Sequence, residues 1–176
     1  MQKNRVEVLS PVGSAESLEA AVRAGADAVY MGAKQFSARR NAENFDNGSL
    51  KTAVEYCHVR GVKVYLTLNI MVKQNELSAA LDTARAAYLA GVDALIVQDL
   101  GIAELIHKAF PSLPLHASTQ MTVHSPSALP ILKKLGFCRV VLSREMSKGE
   151  ITDFCNAAKQ YGIEVELFVH GALCMC

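Results

Sequence analysis

The sequence predicts an α/β fold built on a parallel sheet, and two observations point there. Five segments repeat one pattern, a helix end, a glycine and a short β-rich run: Ala24-Gly-Ala-Asp-Ala-Val29, Arg60-Gly-Val-Lys-Val64, Ala90-Gly-Val-Asp-Ala-Leu95, Leu135-Gly-Phe-Cys-Arg-Val140 and Tyr161-Gly-Ile-Glu-Val165. Glycine just past a helix, with a strand a few residues on, is the joint of a β/α repeat. Helical stretches fill the intervals, so strands and helices alternate, the order that gives a parallel sheet. Crossovers of this length suit a doubly wound sheet or a (β/α)8 barrel of the TIM type. The Gly-x-Gly-x-x-Gly turn of a dinucleotide-binding fold is missing after the first strand, where Pro11-Val-Gly-Ser14 stands, and this favours the barrel.

In chain order, residues 6–9 read as the first strand and residues 113–117 as the fifth; with the five glycine-led runs this gives about seven strands. Residues 15–24, 49–60, 76–90, 100–109, 126–135 and 148–161 read as the helices. The last strand begins at Glu164 and alternates, with Val165, Leu167 and Val169 on one face and Glu164, Glu166, Phe168 and His170 on the other, until Gly171 breaks it. The expectation is therefore one partial barrel domain over residues 1–176, truncated after about seven strands. Its first and seventh strands are open edges that could pair with another copy.

At 176 residues the chain is long enough for a sizeable core, and 51% hydrophobic with 20% charged residues reads as globular. A formal charge of +1 excludes a domain that grips nucleic acid by charge alone; RNA binding would need a local patch. Residues 1–6 lack a signal-peptide pattern and no stretch approaches the ~20 apolar residues of a membrane span, so the expectation is a cytoplasmic protein without membrane contact. The five cysteines are odd in number and mostly scattered, which argues against a disulfide framework.

In such barrels the chemistry sits at the carboxyl ends of the strands. Alternation turns Val64, Leu66 and Leu68 of the third strand toward the helices and Tyr65, Thr67 and Asn69 inward. It turns His116, Ser118 and Gln120 inward on the fifth strand, and Glu166 and His170 on the seventh. Gln98, Asp99 and the run Ser143-Arg144-Glu145 lie at further carboxyl ends. The expected lumen is polar toward its mouth, where pure packing would have used Val, Ile and Leu, and this suggests a ligand site. The long connection over residues 34–47 holds Arg39, Arg40, Asn41 and Asn44, and Arg144 follows the sixth strand; a guanidinium fork suits a carboxylate or phosphate. Both loop arginines could equally be solvated, and Arg144 could pair with Glu145 or Asp99.

The run Glu166-x-Phe168-x-x-Gly171-Ala172-Leu173-Cys174 resembles the first half of the signature of peptidase family U32, the collagenase-like peptidases. Leu9-Ser-Pro-Val-Gly-Ser14, Gly25-Ala-Asp-Ala-Val-Tyr-Met-Gly32, Phe36-Ser-Ala-Arg39, Asn41-Ala-Glu-Asn-Phe45, Val97-Gln-Asp-Leu-Gly101, His116-Ala-Ser-Thr-Gln-Met121 and Leu142-Ser-Arg-Glu145 agree with it. The resemblance implies a barrel and an iron-sulfur enzyme that hydroxylates a pyrimidine of tRNA or rRNA, in a reaction linked to prephenate, a small dicarboxylate. It makes Cys174 the first ligand of a [4Fe-4S] cluster. Cys176 falls short of the second-ligand spacing, so the 176 residues alone are expected to bind no cluster and to be inactive. His170, Arg144 and Gln120 are the candidate catalytic residues; Arg39, Asn69, Gln98, His116, Ser118 and Glu145 are the candidates for holding substrate.

The family's older name implies a rival, a metal-dependent protease using His116 and His170 with Glu166, and a third reading is a non-catalytic RNA- or partner-binding domain. No His-Glu-x-x-His helix and no Gly-x-Ser-x-Gly elbow supports a peptidase. Glu166 could simply neutralise Arg139 on the neighbouring strand. Cys57, Cys138 and Cys155 read as small buried hydrophobes.

Overall fold

The computed structural model describes residues 5–38 and 45–171. Seven parallel strands follow one another in sequence order: β1 (Leu9–Pro11), β2 (Ala28–Gly32), β3 (Lys63–Leu68), β4 (Ala94–Val97), β5 (Leu115–Ala117), β6 (Phe137–Val141) and β7 (Glu164–Glu166). Helices α1 (Ala15–Arg23), α2 (Asn47–His58), α3 (Leu77–Ala90), α4 (Leu100–Ala109), α5 (Leu129–Lys134) and α6 (Lys148–Tyr161) alternate with them. The main core lies between sheet and helices, where Leu66, Leu68, Leu95, Leu115 and Phe137 meet Ile102, Ile106, Leu129 and Phe154. A small second cluster of Ala28, Tyr65, Ala94 and Ile96 lies on the opposite, inner face. The sheet curls around that face far enough for Glu7, just before β1, to reach Arg139 on β6.

Local signals explain the elements. Ser14, Asp46 and Ser147 cap α1, α2 and α6 with reciprocal bonds to Ser17, Ser49 and Glu150, satisfying amide groups that the first turn leaves open. The five glycine joints read from the sequence all have positive φ, between 60° and 88°. At Gly136 the need is double, because a methyl group there would also run into the His107 ring.

Three strand bounds differ from expectation, the fifth only in starting at Leu115, two residues late. The first strand forms over Leu9–Pro11 and not over residues 6–9; Val6 is 82% exposed. Pro11 is tolerated because β1 pairs only with β2, and an edge strand can spare an amide hydrogen. The seventh strand stops at Glu166, whose carbonyl accepts from the Leu142 amide just past the end of β6, so the alternation beyond it has no ladder to join. Val8, Leu167 and Val169 are exposed at these two outer edges. Among the described residues no helix is long and apolar enough to cross a membrane.

Candidate functional site

The inner face divides into a floor and a mouth. The floor is organised by Arg139, whose side chain is only 10% exposed. Its Nη2 and Nε donate to Glu164 Oε2 at 2.6 and 2.9 Å, and its Nη1 to Glu7 Oε1 at 2.7 Å and Glu166 Oε2 at 3.4 Å. The Tyr65 hydroxyl donates to Glu7 at 2.8 Å and Lys63 Nζ donates to the other Glu7 oxygen at 2.8 Å. Arg139 faces inward because β6 bulges: Phe137 stands opposite Leu115, yet Arg139 stands opposite His116, so Cys138 is the extra residue and the alternation flips after it.

Burial alone would raise the Glu7 carboxyl, but the hydrogen bonds from Arg139, Lys63 and Tyr65 outweigh it and hold the pKa at about 2. Glu166 goes the other way. Burial pushes its carboxyl above the usual range despite the opposing pull of Arg139. His116 is 4% exposed and packs edge-on against the Tyr65 ring at 4.7 Å; burial first, and then the Arg139 charge, bring it down to about 3, so it is neutral. Its Nδ1 has no partner among the described residues, nor has the buried Ser143 hydroxyl.

Above the floor, at the carboxyl ends, lies a cavity of ≈ 50 Å³. Thr67, Asn69, Ser118, Thr119 and Glu166 give it polar groups; Tyr30, Ile96, Val141 and Phe168 complete the wall. Each polar group is held from behind. Asn69 Oδ1 accepts from the Ala38 amide at 3.1 Å while its Nδ2 donates to Ser118 Oγ at 3.4 Å. Thr67 shares a 2.8 Å hydrogen bond with Ser37, and Thr119 donates to the Leu142 carbonyl at 3.4 Å. A second, shallower pocket of ≈ 310 Å³ adjoins at the rim, lined by Arg144, Phe168, Val169, His170 and Gly171. Phe168 belongs to both, and the Arg144 guanidinium sits 5.5 Å from its ring centre.

Of the residues singled out in the sequence, Asn69 and Ser118 meet in the cavity, and Arg144 and His170 meet in the rim pocket. His170 is exposed there, not part of a strand facing inward, because β7 has already ended. His116 lies in the buried floor, so it and His170 do not converge. Among the described residues no group of His, Cys, Asp and Glu could hold a metal ion. Gln120 is exposed, with its carbonyl accepting from Gln98 Nε2 at 3.3 Å, and Glu145 is exposed. Asp99 caps α4 through the Gly101 and Ile102 amides and also accepts from the Val72 amide. Glu166 does meet Arg139. Arg39 and Cys174 lie outside the described residues. Cys57 is fully buried under α2, Cys138 sits in the bulge at the amino end of β6, and Cys155 is half-buried on α6. None of the three stands at the carboxyl face, so the described thiols do not fit a cluster ligand set. Phe168 and Tyr30 were not among the candidate site residues, although both stand on inward registers; Thr119 is off the inward register of β5 and reaches the cavity through the 3-10 turn over Thr119–Met121.

The model of peptidase family U32 matches residues 13–176. The chain is 39% identical over 178 residues to the 23S rRNA 5-hydroxycytidine synthase of Escherichia coli K12, covering 99% of the chain and 26% of that protein. It is 35% identical to tRNA hydroxylation protein P of the same strain, with coverages of 96% and 37%, and 34% identical to a collagenase of Porphyromonas gingivalis, with 99% and 44%. The chain thus spans about a quarter to under half of these relatives. Among solved structures it superposes on a U32 peptidase with a TM-score of 0.70 at 16% identity, covering 95% of this chain and 69% of that one. An aldolase follows at 0.62 and 16%, with 91% and 77%. Likeness at such identities speaks for the fold, a β/α barrel of the TIM type lacking its closing strand among the described residues.

Proposed function

We propose, since this chain belongs to peptidase family U32, that it forms the substrate-facing wall of a barrel enzyme that hydroxylates a pyrimidine in tRNA or rRNA. The observation that carries this reading is the cavity at the carboxyl ends, where Thr67, Asn69, Ser118, Thr119 and Glu166 share the lining of an open space with Tyr30, Ile96, Val141 and Phe168, in a lumen that packing alone would have filled with aliphatic groups. Two relatives named for RNA hydroxylation, matched along nearly the whole chain, support it. In this reading Asn69 and Ser118 orient the substrate. Arg144 and His170 line the rim where the anionic groups of the substrates enter, Arg39 is a further candidate for holding a small dicarboxylate, and Gln98, Gln120 and Glu145 shape the entrance. His116 acts from the floor, by keeping Tyr65 and the wall in place.

An iron-sulfur cluster would supply the redox chemistry in this reading. Cys174 would give it one thiolate, and three more ligands would come from outside the described residues. The reaction would take place in the cytoplasm, where the RNA is. The unpaired edges of β1 and β7 would accept a further strand, from another copy or from elsewhere in the protein; a single-copy mass by light scattering would remove the former.

Deleting the gene and measuring nucleosides in total RNA by mass spectrometry tests the reading. Loss of one hydroxylated pyrimidine, restored by the full-length gene, is the expected result. Unchanged RNA together with cleavage of gelatin by the pure full-length protein would support the protease instead, a reading that the collagenase relative keeps in view.

A further inference from the structure

We propose that Phe168 is the platform on which the target base stacks, with the base edge entering the lumen cavity and its phosphate lying toward Arg144; this rests on the RNA-hydroxylase reading above. Phe168 is the shared wall of the ≈ 50 Å³ cavity and the ≈ 310 Å³ rim pocket. Phe168 is 39% exposed at the lip of the cavity, although it follows Glu166 by two residues on the inward register. The two spaces differ in what they can take. The inner one is too small for a whole aromatic ring, for which a cavity of about 150 Å³ is a guide, but it has room for the exocyclic edge of one. The outer one has room for the ring and the start of its sugar.

The chemistry agrees with the volumes. The cavity lining holds hydroxyls, one amide and the Glu166 carboxyl, and no cation. Arg139 beneath it is already engaged by three carboxylates. A carboxylate ligand would be repelled there, whereas a neutral base edge with donors and acceptors would be matched by Asn69 and Glu166. Arg144 stands over the same aromatic ring, and an aromatic face next to a guanidinium is what single-stranded nucleic acid uses for stacking and charge neutralisation. An enzyme that acts on a base must first take it out of its own stack, and a protein ring replaces the lost neighbour.

The test uses the full-length protein and a short single-stranded RNA carrying the fluorescent cytidine analogue pyrrolocytidine, which is quenched when it stacks. Wild type and Phe168→Tyr are expected to quench it on binding. Phe168→Leu, which keeps apolar bulk without an aromatic face, is expected to bind roughly tenfold to a hundredfold more weakly and to lose the quenching. Hydroxylated pyrimidine is measured in cells carrying each variant, and thermal unfolding in each purified protein. Quenching by Phe168→Leu at the wild-type level, no quenching by wild type, or loss of binding in both variants would overturn the inference. Hydroxylation that survives gene deletion would instead sink the RNA-hydroxylase reading, while quenching would still report on the platform.

Discussion

The floor and the mouth of the lumen are both polar, yet they differ in what their polar groups face. On the floor, Arg139 is ringed by Glu7, Glu164, Glu166 and Tyr65, and the groups satisfy one another at distances down to 2.6 Å. At the mouth, Asn69, Thr67, Ser118 and Thr119 are anchored from behind and border open space in front. The floor is a strap: Glu7 and Arg139 lie 132 positions apart in sequence and tie the first strand's approach to the sixth strand across the open side of the sheet. Buried polarity by itself therefore does not mark a site. Polarity combined with unfilled volume does.

The contrast can be broken or sharpened by substitution. Arg139→Met should have the largest effect on stability, a loss of about 2–4 kcal/mol in urea unfolding, because it removes a buried cation and leaves the partly buried Glu7 and Glu166 without it. A loss below about 1 kcal/mol would mean that the floor is not the strap described. Asn69→Ala should cost about 1–2 kcal/mol through the two lost hydrogen bonds, to the Ala38 amide and the Ser118 hydroxyl, while reducing the proposed RNA hydroxylation far more.

Acid titration separates the groups of the floor. The folded-state pKa of His116 is depressed from 6.5 to about 3, so stability should fall as pH drops through that window, the unfolded chain taking up the proton first. Glu7 is depressed from 4.5 to about 2 and adds a second loss over its own window. Glu7→Gln should flatten the lower part of the curve and leave the upper part. Glu166 is raised, so its share of stability falls as pH rises from 4.5 toward its folded value, and Glu166→Gln should remove that opposing slope. Smallest of all, Glu145→Ala on the exposed rim should shift stability by under about 0.5 kcal/mol.

Much of this arrangement was legible in the sequence, for identifiable reasons. The five helix–glycine–strand joints gave the order of elements, and all five glycines adopt the backbone that L side chains avoid. Period-two alternation on β3 and β5 placed Tyr65, Thr67, Asn69, His116 and Ser118 on the inner face, where they are. Alternation failed where a ladder was interrupted. Counting from Phe137 would have sent Arg139 toward the helices, and only the extra residue at Cys138 turns it inward. On β7 the same counting carried the strand to His170, although backbone pairing ends at Glu166. At β1, Val6 and Val8 look like strand residues but are exposed beside the open edge. Phe168 was on the right register but was not among the candidate site residues; its exposure, which sequence cannot give, sets it apart.

The most direct test of the account is a paired measurement on full-length Asn69→Ala: hydroxylated pyrimidine in cellular RNA, and the urea midpoint of the purified protein. The account predicts that hydroxylation falls roughly a hundredfold, as when one well-placed hydrogen-bonding group is taken from an active site, while stability falls by only about 1–2 kcal/mol. Wild-type hydroxylation at that same reduced stability would contradict it, and would move the chemistry away from the mouth of the lumen.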